Sequence, residues 1–234
     1  MKKIVISLGG SVLVPSLESN NISRYVSVLS RLAGKCGIFI VVGGGGEARR
    51  YIQVARELGA GEATADELGI LVTRLNARLL VAGLGDAAYP RVAENYTEAR
   101  EFAQTGKIVV MGGITPAQTT DAVSAVLAES VGADLLINAT SVNGIYSADP
   151  KKDAAAVRYE RLTPQELLDI ITGSRMDAGA NNVLDIVAGK VVERSGIPLL
   201  VLDGRDPENL YRAIVEGTFV GTIVSEEHVN PLPA

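Results

Sequence analysis

Three short runs rich in β-branched and other apolar residues end in glycine: Ser7-Leu8-Gly9-Gly10-Ser11, Val42-Gly43-Gly44-Gly45-Gly46 and Met111-Gly112-Gly113. In open α/β sheets ligands bind beyond the carboxyl ends of the strands, and a glycine there lets backbone N–H groups come close to phosphate oxygens. One such pair is explained by a tight turn between strand and helix; three together point to a polyphosphate site. Neither GxxxxGK[ST] nor GxGxxG is present, because Glu47-Ala48-Arg49 follows the four glycines, so the phosphates are held by another arrangement. Arg49 and Arg50 open the helix after the second glycine run, where free N–H groups and the macrodipole already attract anions. The two point roughly 100° apart; Arg49 is the expected phosphate ligand and Arg50 the solvated one.

After Gly113 the chain reads Ile114-Thr115-Pro116-Ala117-Gln118-Thr119-Thr120-Asp121, a polar loop running into a helix. One of Thr119, Thr120 and Asp121 caps that helix. The whole loop lies beyond a strand end, so it also suits a second anion or a sugar.

These loops need a scaffold. Runs at Ile4–Leu8, Ile38–Val42, Ile108–Met111, Leu135–Asn138 and Leu199–Leu202 alternate with stretches of helical period at Ile22–Leu32, Glu47–Leu58, Glu67–Ala82, Ala122–Val131, Pro164–Ile171 and Asn181–Ser195. The alternation predicts an α/β fold, a three-layer αβα sandwich with a mostly parallel central sheet. Pro207–Glu216 reads as a further helix, Phe219–Val224 as a last strand, and Glu226–Ala234 as a loose tail. The polar stretch Asp149–Ala156 is where two lobes would divide.

The 234 residues are 47% hydrophobic and 21% charged, with a mean hydropathy of +0.23, as in a compact enzyme. Net charge is −5 and Lys and Arg are scattered, which argues against nucleic acid and for small-molecule partners. A lone Cys36 excludes an intrachain disulfide or a cysteine metal site and is expected to be buried. Lys2 and Lys3 precede an apolar stretch too short for a secretory signal, and no run approaches the ~18 apolar residues of a membrane span. A cytoplasmic location without membrane partners is expected.

One further segment, Ala139-Thr140-Ser141-Val142-Asn143-Gly144-Ile145-Tyr146-Ser147-Ala148-Asp149-Pro150, resembles the T-x-V-D-G-[VI]-Y-x-x-D-P signature of the amino-acid kinase superfamily. With the three glycine loops in the same order, nearly the whole chain is similar to the archaeal uridylate kinases of that superfamily. The resemblance implies a single amino-acid kinase domain over residues 1–234, with an N-terminal acceptor-binding lobe at about 1–138 and a C-terminal ATP-binding lobe at about 139–225. It implies transfer of the γ-phosphoryl group of ATP to UMP, giving UDP in pyrimidine nucleotide biosynthesis, with Mg²⁺ on the donor phosphates and no protein side chain singled out as a metal ligand. Gly9, Gly10, Ser11, Gly45 and Arg49 then hold ATP phosphates, and Thr140, Ser141, Tyr146 and Asp149 its adenosine. Gly44 lies between donor and acceptor, Asp66 meets the acceptor ribose, and Ile114, Thr115, Pro116, Ala117, Gln118, Thr119 and Thr120 form the acceptor loop. From the residues alone, without the resemblance, Asp66 reads as a helix N-cap.

An acceptor phosphate is already ionised, so transfer onto it needs no general base, and catalysis is positioning plus charge neutralisation. The resemblance makes Arg49 and Asp121 the catalytic residues, Asp121 as the organiser of cationic groups. Two positions depart from the pattern. Asn143 stands where Asp is usual, and Ser7 stands where bacterial uridylate kinases carry the lysine of K-x-S-G. Arg49, Mg²⁺ or a lysine from elsewhere, such as Lys190, must supply that charge. Isopentenyl phosphate kinases carry a histidine soon after the second glycine loop, whereas the one histidine here is His228. N-acetylglutamate and carbamate kinases, and a nucleotide-binding storage or regulatory protein without turnover, are the alternatives. The resemblance further implies a homo-oligomer, a homohexamer, for which a helix such as Ile22–Leu32 offers an apolar face.

Overall fold

The computed structural model describes residues 1–148, 150, 152–153, 155–173 and 184–226. Its strands are β1 (Lys3–Leu8), β2 (Gly37–Val42), β3 (Val109–Met111), β4 (Leu135–Thr140), β5 (Arg161–Leu162), β6 (Leu199–Asp203) and β7 (Gly221–Val224). Its α-helices are α1 (Gly10–Leu13), α2 (Ile22–Leu32), α3 (Gly45–Glu57), α4 (Glu62–Leu84), α5 (Tyr96–Ala103), α6 (Thr120–Val131), α7 (Pro164–Ile171), α8 (Ile186–Ser195) and α9 (Pro207–Glu216). The first residues of the expected Asn181–Ser195 helix, parts of the Asp149–Ala156 bridge and the tail after Glu226 lie outside the described residues.

One sheet of order β3-β2-β1-β4-β6-β7-β5 runs through the molecule. From β3 to β6 every pairing is parallel, while β7 runs antiparallel to β6 and pairs with β5 in parallel. Strand residues alternate between two cores. Ile4, Ile6 and Leu8 of β1 join Ile38, Ile40 and Val42 of β2 under α2, α4 and α9. Val5, Phe39 and Val41 face the other way, with Met111, under α5, α6, α7 and α8. Both faces being covered, the strands carry near-continuous apolar runs, as a buried parallel sheet requires. Ser7 and its register partner Asn138 interrupt the second face at the carboxyl ends of β1 and β4; both are buried.

Several expectations change. The α4 helix starts at Glu62, with Gly61 at its N-cap position, so Asp66 lies inside the helix and caps nothing. At 23 residues α4 is also long and apolar enough to pass for a membrane span by length and composition. It instead packs on α2, α3, β2 and β3, and Ala77, Leu80, Val81 and Leu84 enter the first core. The apolar face of α2 is turned inward, with Tyr25, Val28, Leu29 and Leu32 buried in that same core. An exposed apolar stripe lies on α4, where Leu71, Leu75 and Leu79 are 54%, 63% and 42% exposed. The elements α1, α5 and β5 were not expected. Cys36 is buried, and burial raises its thiol pKa.

Candidate functional site

From β1 the order proceeds through β2 to β3 on one side, and from β4 to β6 on the other. The carboxyl ends of β1 and β4 therefore flank the topological switch point, where open sheets of this kind bind ligands. The loops after β1 and β2 meet there backbone to backbone. A Cβ on Gly10 would lie 2.2 Å from the Gly45 nitrogen and 2.3 Å from the Gly43 carbonyl oxygen, and one on Gly43 would lie 2.6 Å from the Gly10 nitrogen. Gly45 has a φ of +66° and opens α3 in the left-handed region that favours glycine. The glycines are thus required first by the contact of the two loops. That contact places the N-terminus of α3 beside the β1 end, where free N–H groups can meet an anion.

On the other flank the Gly9 N–H donates to the Ala139 carbonyl at 3.0 Å, and Thr140, the last residue of β4, lies alongside. Ser141 is exposed and Tyr146 half-buried. The Tyr146 hydroxyl donates to Asn143 Oδ1 at 2.7 Å, so the neutral amide at the departing position accepts a bond. Tyr146 also bridges to Arg158; these partners belong to its own segment and not to the glycine loops. Asp149 lies outside the described residues.

The acceptor loop is tied to α4. Asp66 Oδ2 accepts from the Ala117 N–H at 2.8 Å, and Ala117 is a non-glycine residue at φ +63°, a conformation an L-residue adopts at a cost of about 1–2 kcal/mol. Thr115 donates to Gln118 Oε1 at 2.9 Å, and Ile114 packs on the second core, beside the half-buried Pro116. Thr119, not Thr120 or Asp121, caps α6: its Oγ1 accepts from the Ala122 N–H at 3.1 Å. Gly44 packs against α4, since a Cβ there would lie 3.4 Å from Thr73 Cγ2 and 3.6 Å from the Gly69 carbonyl oxygen.

Beneath these loops is a polar cluster that the sequence only half revealed. Ser7, in the lysine's place, donates to Asp121 Oδ1 at 2.8 Å. Thr119 donates to Asp185 Oδ2, and Asp185 caps α8 by accepting from the Ala188 N–H at 2.9 Å. The N-termini of α6 and α8 are thereby joined. Burial is the largest cause that pushes the Asp121 carboxyl up to about 6, with the nearby Asp185 charge adding to it and the Ser7 hydroxyl opposing it. The groups that act on Asp121 are thus a hydroxyl and a second carboxylate, and among the described residues Asp121 makes no ion pair. Lys190 is exposed and pairs with Glu193 at 3.1 Å. Ser11 and Arg49 are exposed. Arg50 is held by Glu47 at 3.1 Å, and among the described residues Arg49 makes no ion pair.

Asp185, Thr73 and Asn76 were missed by sequence reasoning. Asp185 carried a signal, an Asp just before an apolar helical run; Thr73 and Asn76 are polar residues within an apolar helix.

Comparisons with known proteins follow the same outline. Residues 2–203 match the amino acid kinase family. The chain is 88% identical, over the whole of both chains, to a protein named uridylate kinase from Methanoculleus marisnigri. It is 60% identical to one of that name from Methanospirillum hungatei, over 100% of this chain and 99% of the relative. Among solved structures, uridylate kinase from Archaeoglobus fulgidus superposes with a TM-score of 0.86 at 46% identity, covering 96% of this chain and all of that one. UMP kinase from Bacillus anthracis, at 24% identity and a TM-score of 0.80 over 97% of this chain and 96% of that one, shares the fold.

Asp121 gives a test in stability. Its carboxyl titrates near 3.8 when unexceptional and at about 6 in the fold, so the folded state binds the proton more tightly and ionisation opposes folding as pH rises through this window. Asp121→Asn removes that cost. The variant is expected to be more stable than the parent at pH 8, by up to ~3 kcal/mol, with the gain shrinking towards zero at pH 4, as read by urea denaturation. Equal stability at both pH values would contradict the assignment.

Proposed function

This chain belongs to the amino acid kinase family, and on that premise we propose that it is a uridylate kinase, transferring the γ-phosphoryl group of ATP to UMP. The observation that carries the reading is that α4 reaches both loop sets: Gly44 of the second glycine run, whose neighbours Gly43 and Gly45 pack on Gly10, lies against Thr73 and Gly69 of α4, and the same helix holds the acceptor loop through Asp66. Full-length kinship with proteins named uridylate kinase supports UMP as the acceptor.

In this reading the C-terminal lobe from about residue 139 receives the adenosine of ATP at Thr140, Ser141, Tyr146 and Asp149, and the N-terminal lobe receives UMP. The Asp66 carboxylate meets the UMP ribose while it holds Ala117. The donor phosphates lie over Gly9, Gly10, Ser11 and Gly45, where the amino end of α3 offers free N–H groups, and Arg49 reaches them from the next turn. Ile114 to Thr120 surround uracil and the acceptor phosphate at the start of α6. No proton need be removed from an ionised acceptor, so the work is alignment and charge neutralisation.

Magnesium fits the donor set. Among the described residues no group of three or more His, Cys, Asp and Glu forms a protein cage, but Mg²⁺ is commonly held by one or two carboxylates together with substrate phosphates. Asp121 and Asp185 are the carboxylates placed to meet it, and the ion would spread the charge of the donor phosphates. The Ser7–Asp121 hydrogen bond fixes the carboxylate where a lysine is absent. That absence also favours the second reading, nucleotide binding without turnover. In the kinase reading the setting is cytoplasmic pyrimidine nucleotide synthesis.

The leucines exposed on α4 supply a contact for a homo-oligomer. Leu71, Leu75 and Leu79 recur every fourth residue and form one ridge, suited to the same ridge of a second copy about a twofold axis; a homohexamer would be built from such pairs.

An ADP-release assay with Mg-ATP is expected to give turnover with UMP far above that with AMP, isopentenyl phosphate, N-acetylglutamate or carbamate. ATP binding without turnover on any acceptor would replace the kinase by the non-catalytic reading. For assembly, Leu75→Glu is expected to shift the particle to a smaller mass in light scattering; an unchanged mass would remove α4 from the interface.

A further inference from the structure

Between Gly69 and Leu84, α4 is apolar except for Thr73, Arg74, Asn76 and Arg78. Thr73 and Asn76 are buried, 7% and 4% exposed, and buried polar groups persist where they are hydrogen-bonded. Thr73 Oγ1 accepts from the Gly113 N–H at 2.7 Å and donates to the Ile70 carbonyl at 2.6 Å. Asn76 Nδ2 donates to the carbonyls of Gly43 and Gly44, at 3.0 and 3.3 Å. Arg74 Nε adds a bond to the Gly113 carbonyl at 3.3 Å. The fit leaves no slack, since a Cβ on Gly112 would lie 2.5 Å from Thr73 Oγ1.

We infer that Thr73 and Asn76 are positioning residues for phosphoryl transfer: α4 acts as a ruler that fixes the acceptor loop at Thr73 and the second glycine loop at Asn76. The inference rests on the kinase reading. The two anchors are three residues apart, about 4.5 Å along the axis, and Asp66 grips the same acceptor loop further up the same helix. Following α4 from its amino end therefore passes from the far side of the acceptor loop, through its stem, to the loop shared with the donor. A rigid helix holding both loops keeps the two phosphate sites at a fixed spacing whether or not either nucleotide is bound. Such alignment is worth much in rate, because a misplacement of about 1 Å costs ~10²-fold.

Thr73→Val keeps the shape and removes both bonds; Thr73→Ser keeps the hydroxyl. Steady-state kinetics with ATP and UMP, alongside thermal melting, separate positioning from mere support. Thr73→Val is expected to lower kcat at least about tenfold and to raise KM for UMP several-fold, with KM for ATP within about twofold of the parent. Thr73→Ser is expected to restore all three to within about twofold. Asn76→Leu is expected to raise KM for ATP as well as for UMP, because its loop serves both. If Thr73→Val does not fold, Thr73→Ala, which leaves room for a water on the Gly113 N–H, must show the same split. Parental kcat and KM for UMP in the folded variant, or equal shifts in both KM values with a lowered melting temperature, would overturn the inference. A parent protein that does not phosphorylate UMP would instead overturn the kinase reading itself.

Discussion

The seam between Gly10 and Gly43–Gly45 is the constraint on which the rest of the site depends. With 2.2 to 2.6 Å between a would-be Cβ on Gly10 or Gly43 and the facing backbone, two strand-end loops come as near as chains can. That approach puts the start of α3 beside the end of β1 and, through the Gly9 bond to Ala139, beside β4. Any side chain at the seam would force the loops apart and carry the N–H groups at the start of α3 away from the end of β1. The acceptor loop stays outside the seam and is held by side chains of α4, through Asp66, Thr73 and Arg74, while the second glycine loop is fixed by the seam and by Asn76 of the same helix.

The cluster below the seam follows a different logic. Asp121 is held in a desolvated place next to Asp185, against its own ionisation, which costs stability at neutral pH. Strained features of this sort persist where function requires them, as does the left-handed Ala117 held by Asp66. Ser7 contributes a hydroxyl where relatives of the bacterial type would carry a cation. The described residues therefore gather carboxylates and hydroxyls at the strand ends and leave positive charge to Arg49 and to what the nucleotide brings.

Much of this was legible in the chain. The β-branched runs, their glycine ends and the helical periods between them foretold the parallel sheet and three loops at one edge, because those signals are local. Of the elements that escaped, α1 and β5 were too short to show a period, at four and two residues, and α5 buries only Ala99 and Phe102, so its apolar stripe was faint. The reason for the glycines was hidden, since the contact of Gly10 with Gly45 spans distant parts of the sequence. Asp66 read as a cap because Gly61-Glu62-Ala63-Thr64 carries no strong start signal, and the helix begins a full turn earlier on propensity and packing. Thr73 and Asn76 were invisible as anchors for the same reason as the seam: their partners lie 32 to 40 residues away. The exposed leucines of α4 are the counterpart, since a helix apolar on most sides does not announce which side is covered.

The claim at the centre is that two nucleotides lie phosphate to phosphate across Gly44. Titration calorimetry with a dinucleotide in which adenosine and uridine are joined by a pentaphosphate bridge measures this directly, against ATP and UMP titrated singly. Binding at least ~100-fold tighter than either mononucleotide is expected, because one ligand then fills both halves and gains from their linkage. An affinity no better than that of ATP alone would mean that the two halves do not face each other, and the arrangement described for this site would be wrong.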